Sequence, residues 1–252
     1  MRTPDTLFVG KNFLELPMVN STNEHALSLL TKSNPAEGTV ISTRNQYAGR
    51  GQIGRGWESE PDKNIALSVI LYPTFLTAVR QFLLNQAISL AVFDLVEHYF
   101  PKKTKIKWPN DIYIFNKKVA GILIQNAIGG NNLRSSVIGI GLNINQEAFT
   151  SNAPNPTSFK LESKMQFDIP SVILELCRFI ESRYLKLKSG NLVPLQQDYL
   201  RHLYRCGTES LFQRPDGSVL KGTIKGVSDI GQLRIEISGK EELFGLKEIK
   251  FL

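Results

Sequence analysis

The segment GRGQIGRGW, Gly49–Trp57, places four glycines and two arginines within nine residues. Apolar and β-branched residues dominate Thr39–Thr43 before it and Asn64–Tyr72 after it, a pattern typical of strands. Glycines allow a ligand to approach the backbone closely, and guanidinium groups supply positive charge. We therefore predict an anion-binding loop held between two strands. The alternative is a surface loop whose arginines serve solubility.

This loop does not belong to the common nucleotide-binding motifs. The chain has no G-x-x-x-x-G-K-[ST] motif. It also has no strand–G-x-G-x-x-G–helix unit with an acidic residue about 20 positions further on. These two spacings exclude a P-loop and a dinucleotide-binding fold.

A second unusual string, KWPND, occupies Lys107–Asp111. It combines a cation, an aromatic ring, a rigid turn and two short polar side chains that can hold a hydrated cation or a ribose. Asp111 is a candidate ligand for Mg²⁺, and Lys118 follows closely enough to point its ammonium group into the same cleft. The alternative is a β-turn in which Asn110 and Asp111 serve only turn chemistry.

Apolar residues recur at helical spacing in three segments. Ser21-x-x-Glu24 has the pattern of a capping box, which predicts a helix of about three turns beginning there. A longer amphipathic helix is predicted over Leu84–Tyr99, because Pro101 prevents its continuation. A third helix is predicted over Ile169–Leu187.

Short strand-like runs separated by turn residues occupy the middle and the end of the chain. The middle set, which predicts an antiparallel meander, comprises Lys105–Trp108, Asp111–Phe115, Lys118–Gln125 and Val137–Asn145. From Cys206 onward, short strands broken by glycine turns predict a small β-barrel. We therefore expect a domain boundary near Arg205, with domains at 1–205 and 206–252.

Composition limits the possible partners and chemistry. Thirty lysines and arginines against 23 acidic residues give a net charge of +7 over 252 residues, which favours nucleotides, phosphates or an anionic protein surface. Two cysteines and three histidines are too few for a disulfide framework or a zinc cluster. Cys177 lies on the apolar stripe of the third helix and is predicted to be a core residue, not a nucleophile. Without a signal sequence or an apolar run near 18 to 20 residues, the chain is predicted to be cytoplasmic.

Four motifs in this order resemble those of the biotin protein ligases. They are STN at Ser21–Asn23, QxAGRGxxGRxW at Gln46–Trp57, KWPND at Lys107–Asp111 followed by KxAGIL at Lys118–Leu123, and IGIGLNIN at Ile138–Asn145. The similarity covers essentially the whole chain, because the C-terminal segment also looks like the small SH3-like module of that family.

The resemblance implies an α+β fold with a mixed, mostly antiparallel sheet and flanking helices, similar to class II aminoacyl-tRNA synthetases, followed by an SH3-like β-barrel. It implies an ATP-dependent ligase that forms biotinyl-5′-adenylate, with Mg²⁺ accompanying ATP, and passes biotin to a lysine of a biotin carboxyl carrier domain. It also implies a short form without the helix-turn-helix domain of repressor-type members, a monomer or homodimer with no DNA or membrane partner.

The motif positions of the resemblance also imply site residues. The biotin-binding residues would be Ser21, Thr22, Gln46, Gly49, Arg50, Trp57, Lys118, Gly121 and Leu123. The nucleotide-binding residues would be Arg55, Trp57, Asn110, Asp111 and Asn143, with Asp111 near the metal. Lys118 and Arg50 would be catalytic, because they meet the carboxylate of biotin and the α-phosphate.

One position departs from the pattern of the family. Many members carry a second arginine where this chain has Gln52, and that arginine helps to retain the reactive adenylate. A neutral amide can donate a hydrogen bond there but brings no charge. We therefore expect this chain to release the adenylate more readily than a Gln52→Arg variant.

Two other functions and one surface remain open at this point. Lipoate ligases and octanoyltransferases share the expected catalytic fold, but their Arg-Arg-x-x-Gly-Gly-Gly run is missing here. A basic nucleic-acid-binding module would account for the charge but not for Lys107–Asp111 or the glycine loop. The run Lys102–Lys105 is either a docking edge for the carrier or a solvated strand end whose lysines discourage edge pairing.

Overall fold

A computed structural model describes residues 3–52, 56–150 and 155–252. The strands of the first sheet are β1 (Phe13–Val19), β2 (Val40–Gln46), β3 (Asn64–Leu71), β4 (Thr104–Lys107), β5 (Asp111–Ile114), β6 (Lys117–Gly129) and β7 (Asn132–Asn143). The helices are α1 (Thr22–Lys32), α2 (Phe82–Tyr99), α3 (Phe159–Ser163), α4 (Ile169–Lys188) and α5 (Leu192–His202). The second sheet comprises β8 (Glu209–Gln213), β9 (Val219–Val227), β10 (Leu233–Ile237), β11 (Lys240–Phe244) and β12 (Lys250–Phe251).

The first sheet has the strand order β1-β2-β3-β7-β6-β5-β4. Strands β1 and β2 are parallel, and the other neighbours are antiparallel. The predicted meander is confirmed as β4 to β7, joined by tight turns such as Gly130-Asn131, where Gly130 has a φ of +60°. The sheet is therefore mixed and mostly antiparallel, as expected.

The two faces of this sheet are covered to different extents. One face packs its aliphatic side chains, Ile138, Ile140 and Leu142 among them, into the main core with α2 and α4. On the other face, α1 covers only a small cluster that contains Ala26 and Val137. The remainder of that second face is left for the site described below.

Helix α2 is the central core helix. The stretch Ala78–Tyr99 is long and apolar enough to cross a membrane by length and composition, with a mean hydropathy of 1.2, whereas the sequence analysis expected no such stretch. Within the protein, however, 67% of the most apolar 18-residue window of this stretch is buried, and α2 packs against α4 and α5. Its apolar character is thus accounted for by the core.

The second sheet is antiparallel, with the strand order β11-β10-β9-β8-β12. Its inward side chains, such as Phe212 and Ile235, belong to the same contiguous core as the first sheet. The predicted fold class is confirmed in the mixed sheet, the flanking helices and this C-terminal sheet. Among the described strands, no pairing of β11 with β12 closes the sheet into a barrel.

The sequence analysis assigned no element to Phe13–Val19 or Leu192–His202, which form β1 and α5. Strand β1 is at the sheet edge, the position in a sheet where a proline such as Pro17 is tolerated, although proline in a sequence argues against a strand. Helix α5 carries Pro194 in its first turn, a position whose amide has no partner within the helix in any case. In both elements a proline is tolerated because of its position, which the local apolar pattern does not reveal.

The segment before β1 is fastened to α4 by one buried carboxylate. Glu181 accepts hydrogen bonds from the amides of Leu7, Phe8 and Val9, at 2.6, 2.7 and 3.0 Å. A buried carboxylate needs such donors, because burying a charge without them is costly. Glu181 therefore holds residues 7–9 against the core.

Candidate active site

Glycines form the floor of a pocket on the second face of the first sheet. Gly121 of β6 lies opposite Gly141 of β7, and Gly139 is two residues before Gly141 on the same face. A Cβ at Gly141 would collide with the ring of Trp57, and one at Gly121 would lie 3.0 Å from the same ring. A Cβ at Gly139 would collide with the amide of Asn23. The missing side chains therefore make room for groups that lie flat on the sheet.

Buried polar side chains form one end of the pocket. Ser68 donates to the hydroxyl of Thr22 at 2.8 Å or to Asn23 Oδ1 at 2.6 Å. Gln46 Oε1 accepts from the amide of Thr22 at 2.9 Å, and the amide group of Asn23 donates to Gln125 Oε1 at 3.0 Å. Thr22, Asn23 and Ser68 are all less than 5% exposed. This polar network joins the first turn of α1 to β2, β3 and β6.

The two ends of the glycine-rich loop close into a narrow neck. The amide of Trp57 donates to the carbonyl of Gly49 at 2.8 Å, and Arg50 forms a β-bridge with Gly56. A Cβ at Gly49 would lie only 2.5 Å from the backbone carbonyl oxygen of Trp57, so the neck requires glycine there. This neck places the Trp57 ring over the pocket floor. The predicted site residue Arg55 lies outside the described residues.

A lysine–carboxylate pair lies beside the Trp57 ring. Lys118 Nζ is 2.6 Å from Asp111 Oδ1, and the two side chains are 22% and 25% exposed. Lys118 Nζ is also 5.6 Å from the centroid of a Trp57 ring, within the range of a cation–π contact. The structure thus brings together Asp111, Lys118 and Trp57, which the sequence placed in three separate segments.

The predicted capping box at Ser21 is wrong. Ser21 does precede the first helical residue, but its side chain makes no capping hydrogen bond. Glu24 instead forms an ion pair with Arg50 and accepts a hydrogen bond from Asn20. A guanidinium is a stronger partner for a carboxylate than a neutral amide is, so Glu24 turns away from the helix terminus. Arg50 is thereby linked to α1, with a side chain that is 67% exposed.

The two predicted nucleotide-binding asparagines differ in their contacts. Asn110 donates its side-chain amide to the carbonyl of Ile122, and the amide of Ile122 donates back to the carbonyl of Asn110 at 3.1 Å. Asn110 therefore secures the turn before β5 to β6. Asn143 lies on the same face as Gly141 and donates to the carbonyl of Thr157 at 2.9 Å.

Two buried polar atoms at this pocket have no hydrogen-bond partner among the described residues. They are the donor Nε1 of Trp57 and the acceptor Oδ1 of Asn143. Buried polar atoms are rarely left unsatisfied in folded proteins, so each exception calls for an explanation such as a catalytic role. One buried donor and one buried acceptor beside the glycine floor thus have hydrogen-bonding capacity that no described residue uses.

The carboxylate of Asp111 suits a metal that arrives with a substrate better than an ion held by the protein alone. Within residues 3–52, 56–150 and 155–252, no group of three or more His, Cys, Asp or Glu side chains is arranged to hold a metal. Asp111 is a single carboxylate. Mg²⁺ is commonly held by one or two carboxylates together with substrate phosphates, so Asp111 fits a metal that accompanies a nucleotide.

Cys177 is a core residue, as predicted. It is 1% exposed, and burial raises the pKa of its thiol to about 12. Because the thiolate is the reactive form, this cysteine is chemically inert at neutral pH. The catalytic chemistry of the site does not depend on it.

Sequence reasoning assigned no role to Asn23, Ser68, Gln125 or Thr157, which complete the pocket. A signal for Ser68 was present, because six of the eight residues of β3 are apolar and Ser68 lies among them. A polar residue inside such a strand needs a buried partner. Thr157 carried no comparable signal in the sequence.

A mixed sheet with a glycine-floored pocket, a basic loop and a lysine–carboxylate pair defines a class of enzyme that acts on an anionic small molecule. The model of the biotin/lipoate A/B protein ligase family matches residues 15–143. The chain belongs to this family and is a ligase, which confirms the resemblance found in its motifs.

Curated relatives match over nearly the whole chain. The bifunctional ligase/repressor BirA of Bacillus spizizenii is 31% identical over 235 residues, which are 92% of this chain and 71% of the relative. The biotin--[acetyl-CoA-carboxylase] ligase of Paracoccus denitrificans is 28% identical over 245 residues, 94% of this chain and 99% of the relative. Among solved structures, the biotin protein ligase from Aquifex aeolicus in complex with biotin and ATP has a TM-score of 0.78 at 24% identity, covering 96% and 99% of the two chains. At that identity the structural match supports the fold.

Proposed function

We propose that this chain is an ATP-dependent biotin protein ligase. It joins biotin to AMP, giving biotinyl-5′-adenylate and pyrophosphate, and then transfers the biotinyl group to a lysine of a biotin carboxyl carrier domain. The names of its relatives support this activity. The observation that carries the proposal is a single glycine floor with a buried polar network at one end and Lys118 at the other.

The pocket suits a molecule with a polar ring and a carboxylate on an aliphatic chain. Gly139 lies beside the polar network and Gly141 lies under Trp57, so the two ends are separated by about 7 Å of strand. The ureido group of biotin both donates and accepts hydrogen bonds, and in this proposal Ser21, Thr22 and Gln46 would satisfy it. Gly121 and Leu123 would line the aliphatic chain. The dithiolane ring of lipoate has no N–H or C=O group, so this network favours biotin.

In the first step, an oxygen of the biotin carboxylate attacks the α-phosphorus of ATP, and the bond to pyrophosphate breaks. Both reactants are anionic, so fixed cations must reduce their repulsion and stabilise the charge that accumulates on the phosphorus. Lys118 supplies an ammonium group at the pocket floor, and Arg50 supplies a guanidinium at the neck of the loop. Mg²⁺ would neutralise the triphosphate, with Asp111 as its protein ligand.

In the second step, the neutral amine of the acceptor lysine attacks the carbonyl carbon of the adenylate, and AMP leaves. The mixed anhydride is already activated, so the enzyme needs no nucleophile of its own. Its tasks are to orient the amine and to exclude water. Trp57, which covers the floor of the pocket, would shield the anhydride.

The nucleotide would occupy the side of the pocket towards Asn143. The unpaired Oδ1 of Asn143 can accept from an amino or hydroxyl group, and Trp57 can stack on the nucleotide and donate from Nε1. Asn110 would act through the turn that it secures, and Arg55 would add charge from the loop. Because Gln52 brings no charge there, we propose that the adenylate is retained less firmly than with arginine.

We also propose that this enzyme works in the cytoplasm, as a monomer or homodimer, with neither DNA nor membrane as a partner. Residues 1–205 would form the catalytic domain and residues 206–252 an SH3-like module. Lys102 and Lys103 precede the edge strand β4 and Lys105 lies within it, and we propose the run Lys102–Lys105 as a docking edge for the acidic surface of a carrier domain.

Calorimetric titration with biotin and, separately, with lipoate tests this function. We expect biotin to bind and lipoate to bind at least tenfold more weakly. In a second assay, with Mg-ATP present, we expect labelled biotin to be transferred to a carrier domain. Binding of lipoate but not biotin would assign the pocket to another acyl group. Binding of neither, with or without Mg-ATP, would refute the ligase function.

A further inference from the structure

The backbone of Lys118 is held by a segment outside the sheet to which it belongs. Strand β7 pairs with β6 only from Ala120 onward. At Lys118, the place of β7 is taken by Asn155–Thr157, which runs parallel to β6. The amide of Lys118 donates to the carbonyl of Asn155 at 2.8 Å, and the amide of Thr157 donates to the carbonyl of Lys118 at 2.8 Å. Both backbone groups of the lysine are therefore fixed by this segment.

Thr157 connects Lys118 to the predicted nucleotide-binding residue Asn143. Its carbonyl accepts from the side-chain amide of Asn143 at 2.9 Å. Its hydroxyl donates to Glu162 Oε1 in α3 at 2.6 Å, and the residue is 1% exposed. A buried hydroxyl of this kind depends on its acceptor, because leaving it without one is costly.

The same carboxylate oxygen holds the neighbour of Lys118. Glu162 Oε1 also accepts from the ammonium group of Lys117 at 3.0 Å, and the Glu162 side chain is 12% exposed. Burial alone would raise the pKa of Glu162, but the hydrogen bonds from Thr157 and Lys117 lower it below its usual value. Lys117, the first residue of β6, is therefore one of two donors to this carboxylate oxygen, and Thr157 is the other.

These contacts form a closed ring around Lys118. The ring runs from Glu162 to Lys117, along the chain to Lys118, across the backbone hydrogen bond to Thr157 and back to Glu162. We propose that Glu162 is a positioning residue for adenylate formation, because it fixes Lys118 and Asn143 together through Thr157. This role rests on the proposed function, and Glu162 itself touches neither substrate.

Loss of Glu162 should slow adenylate formation, because this reaction requires its reacting groups to be positioned precisely. A displacement of about 1 Å in a reacting group can lower a rate by about a hundredfold. Without Glu162, Thr157 and Lys117 lose their common partner, while the floor of the pocket and its polar network remain intact. The rate of the chemical step should therefore fall more than the affinity for biotin.

The test uses Glu162→Ala, with Glu147→Ala as its matched control. Glu147 also pairs with a lysine of α3, Lys160 at 2.5 Å, but contacts neither Thr157 nor Lys117. In biotin-dependent ATP–pyrophosphate exchange, we expect Glu162→Ala to lower kcat by about tenfold, with the KM for biotin changed less than twofold. Glu147→Ala should resemble the unmodified chain in both parameters.

Conservative variants separate positioning from a merely structural role. Glu162→Gln keeps an acceptor oxygen and should recover most of the lost kcat. Thr157→Ser keeps the hydroxyl and should retain the kcat of exchange. Thr157→Val keeps the shape of the side chain but not the hydroxyl, so its kcat should fall as much as that of Glu162→Ala. Melting temperatures identify any variant that has lost stability.

Three outcomes would overturn the proposed role of Glu162. If the unmodified chain catalyses exchange and Glu162→Ala is as fast as Glu147→Ala, the role of Glu162 is overturned and the ligase function stays intact. Equal loss in Thr157→Ser and Thr157→Val also overturns it, because the hydroxyl would then be irrelevant. Absence of exchange in the unmodified chain overturns the ligase function and the role of Glu162 with it.

Discussion

Replacing Lys118 by alanine should abolish most of the adenylate-forming activity and leave the fold nearly intact. The ammonium group is 2.6 Å from Asp111 and is 22% exposed. At an effective dielectric constant of about 20, a cation about 4 Å from an anion contributes about 4 kcal/mol. If that contribution is made to the charge that develops at the α-phosphorus, its loss lowers the rate by about a thousandfold.

The stability of the Lys118→Ala variant should change far less. The ion pair with Asp111 is partly hydrated, and Asp111 can be solvated after the lysine is removed, so we expect a loss of about 1 kcal/mol. Lys160→Ala is the matched control, since Lys160 is also ion-paired, with Glu147, and has a similar exposure of 27%. Biotin-dependent ATP–pyrophosphate exchange and urea unfolding measure the two effects. An exchange rate equal to that of Lys160→Ala would remove Lys118 from the catalytic residues.

Three further predictions concern the pocket, the loop and the core. Gly141→Ala should displace the Trp57 ring and weaken biotin binding in a titration monitored by tryptophan fluorescence, whereas Gly129→Ala, whose Cβ would make an ordinary 3.4 Å contact, should bind normally. Gln52→Arg should reduce diffuse biotinylation of a bystander protein, and equal labelling by the two forms would refute the role of this position in retention. Glu181→Gln should lower the free energy of unfolding by about 2 kcal/mol, because a charged acceptor of three backbone amides becomes neutral; an unchanged urea midpoint would contradict this.

Much of the sheet could be predicted because its signals are local. Asn64–Leu71 is continuously apolar apart from two polar residues, and the meander from β4 to β7 is punctuated by turn residues. Strand β1 was missed because Pro17 within it argues against a strand, and proline is tolerated there only because β1 lies at the edge of the sheet. Helix boundaries next to prolines, such as the end of α2 before Pro101, were also predicted correctly.

The candidate site was predictable where it depends on motifs and unpredictable where it depends on distant contacts. Lys118 and Asp111 are seven residues apart and meet across one hairpin, so their pairing follows from the local sequence. Ser68 and Thr22 are 46 residues apart, and Glu162 meets Lys117 across 45 residues, so only the fold brings these pairs together. The capping box failed for the same reason, because Arg50 offers Glu24 a stronger partner from a distant loop.

The central claim is that the glycine-floored pocket activates biotin with ATP. Biotin-dependent exchange of labelled pyrophosphate into ATP by the purified chain, with Mg²⁺ present, tests this claim most directly. The account predicts exchange that requires biotin, that lipoate does not support, and that Lys118→Ala lowers by about a thousandfold. Exchange that is absent, or that proceeds equally well without biotin, would contradict it.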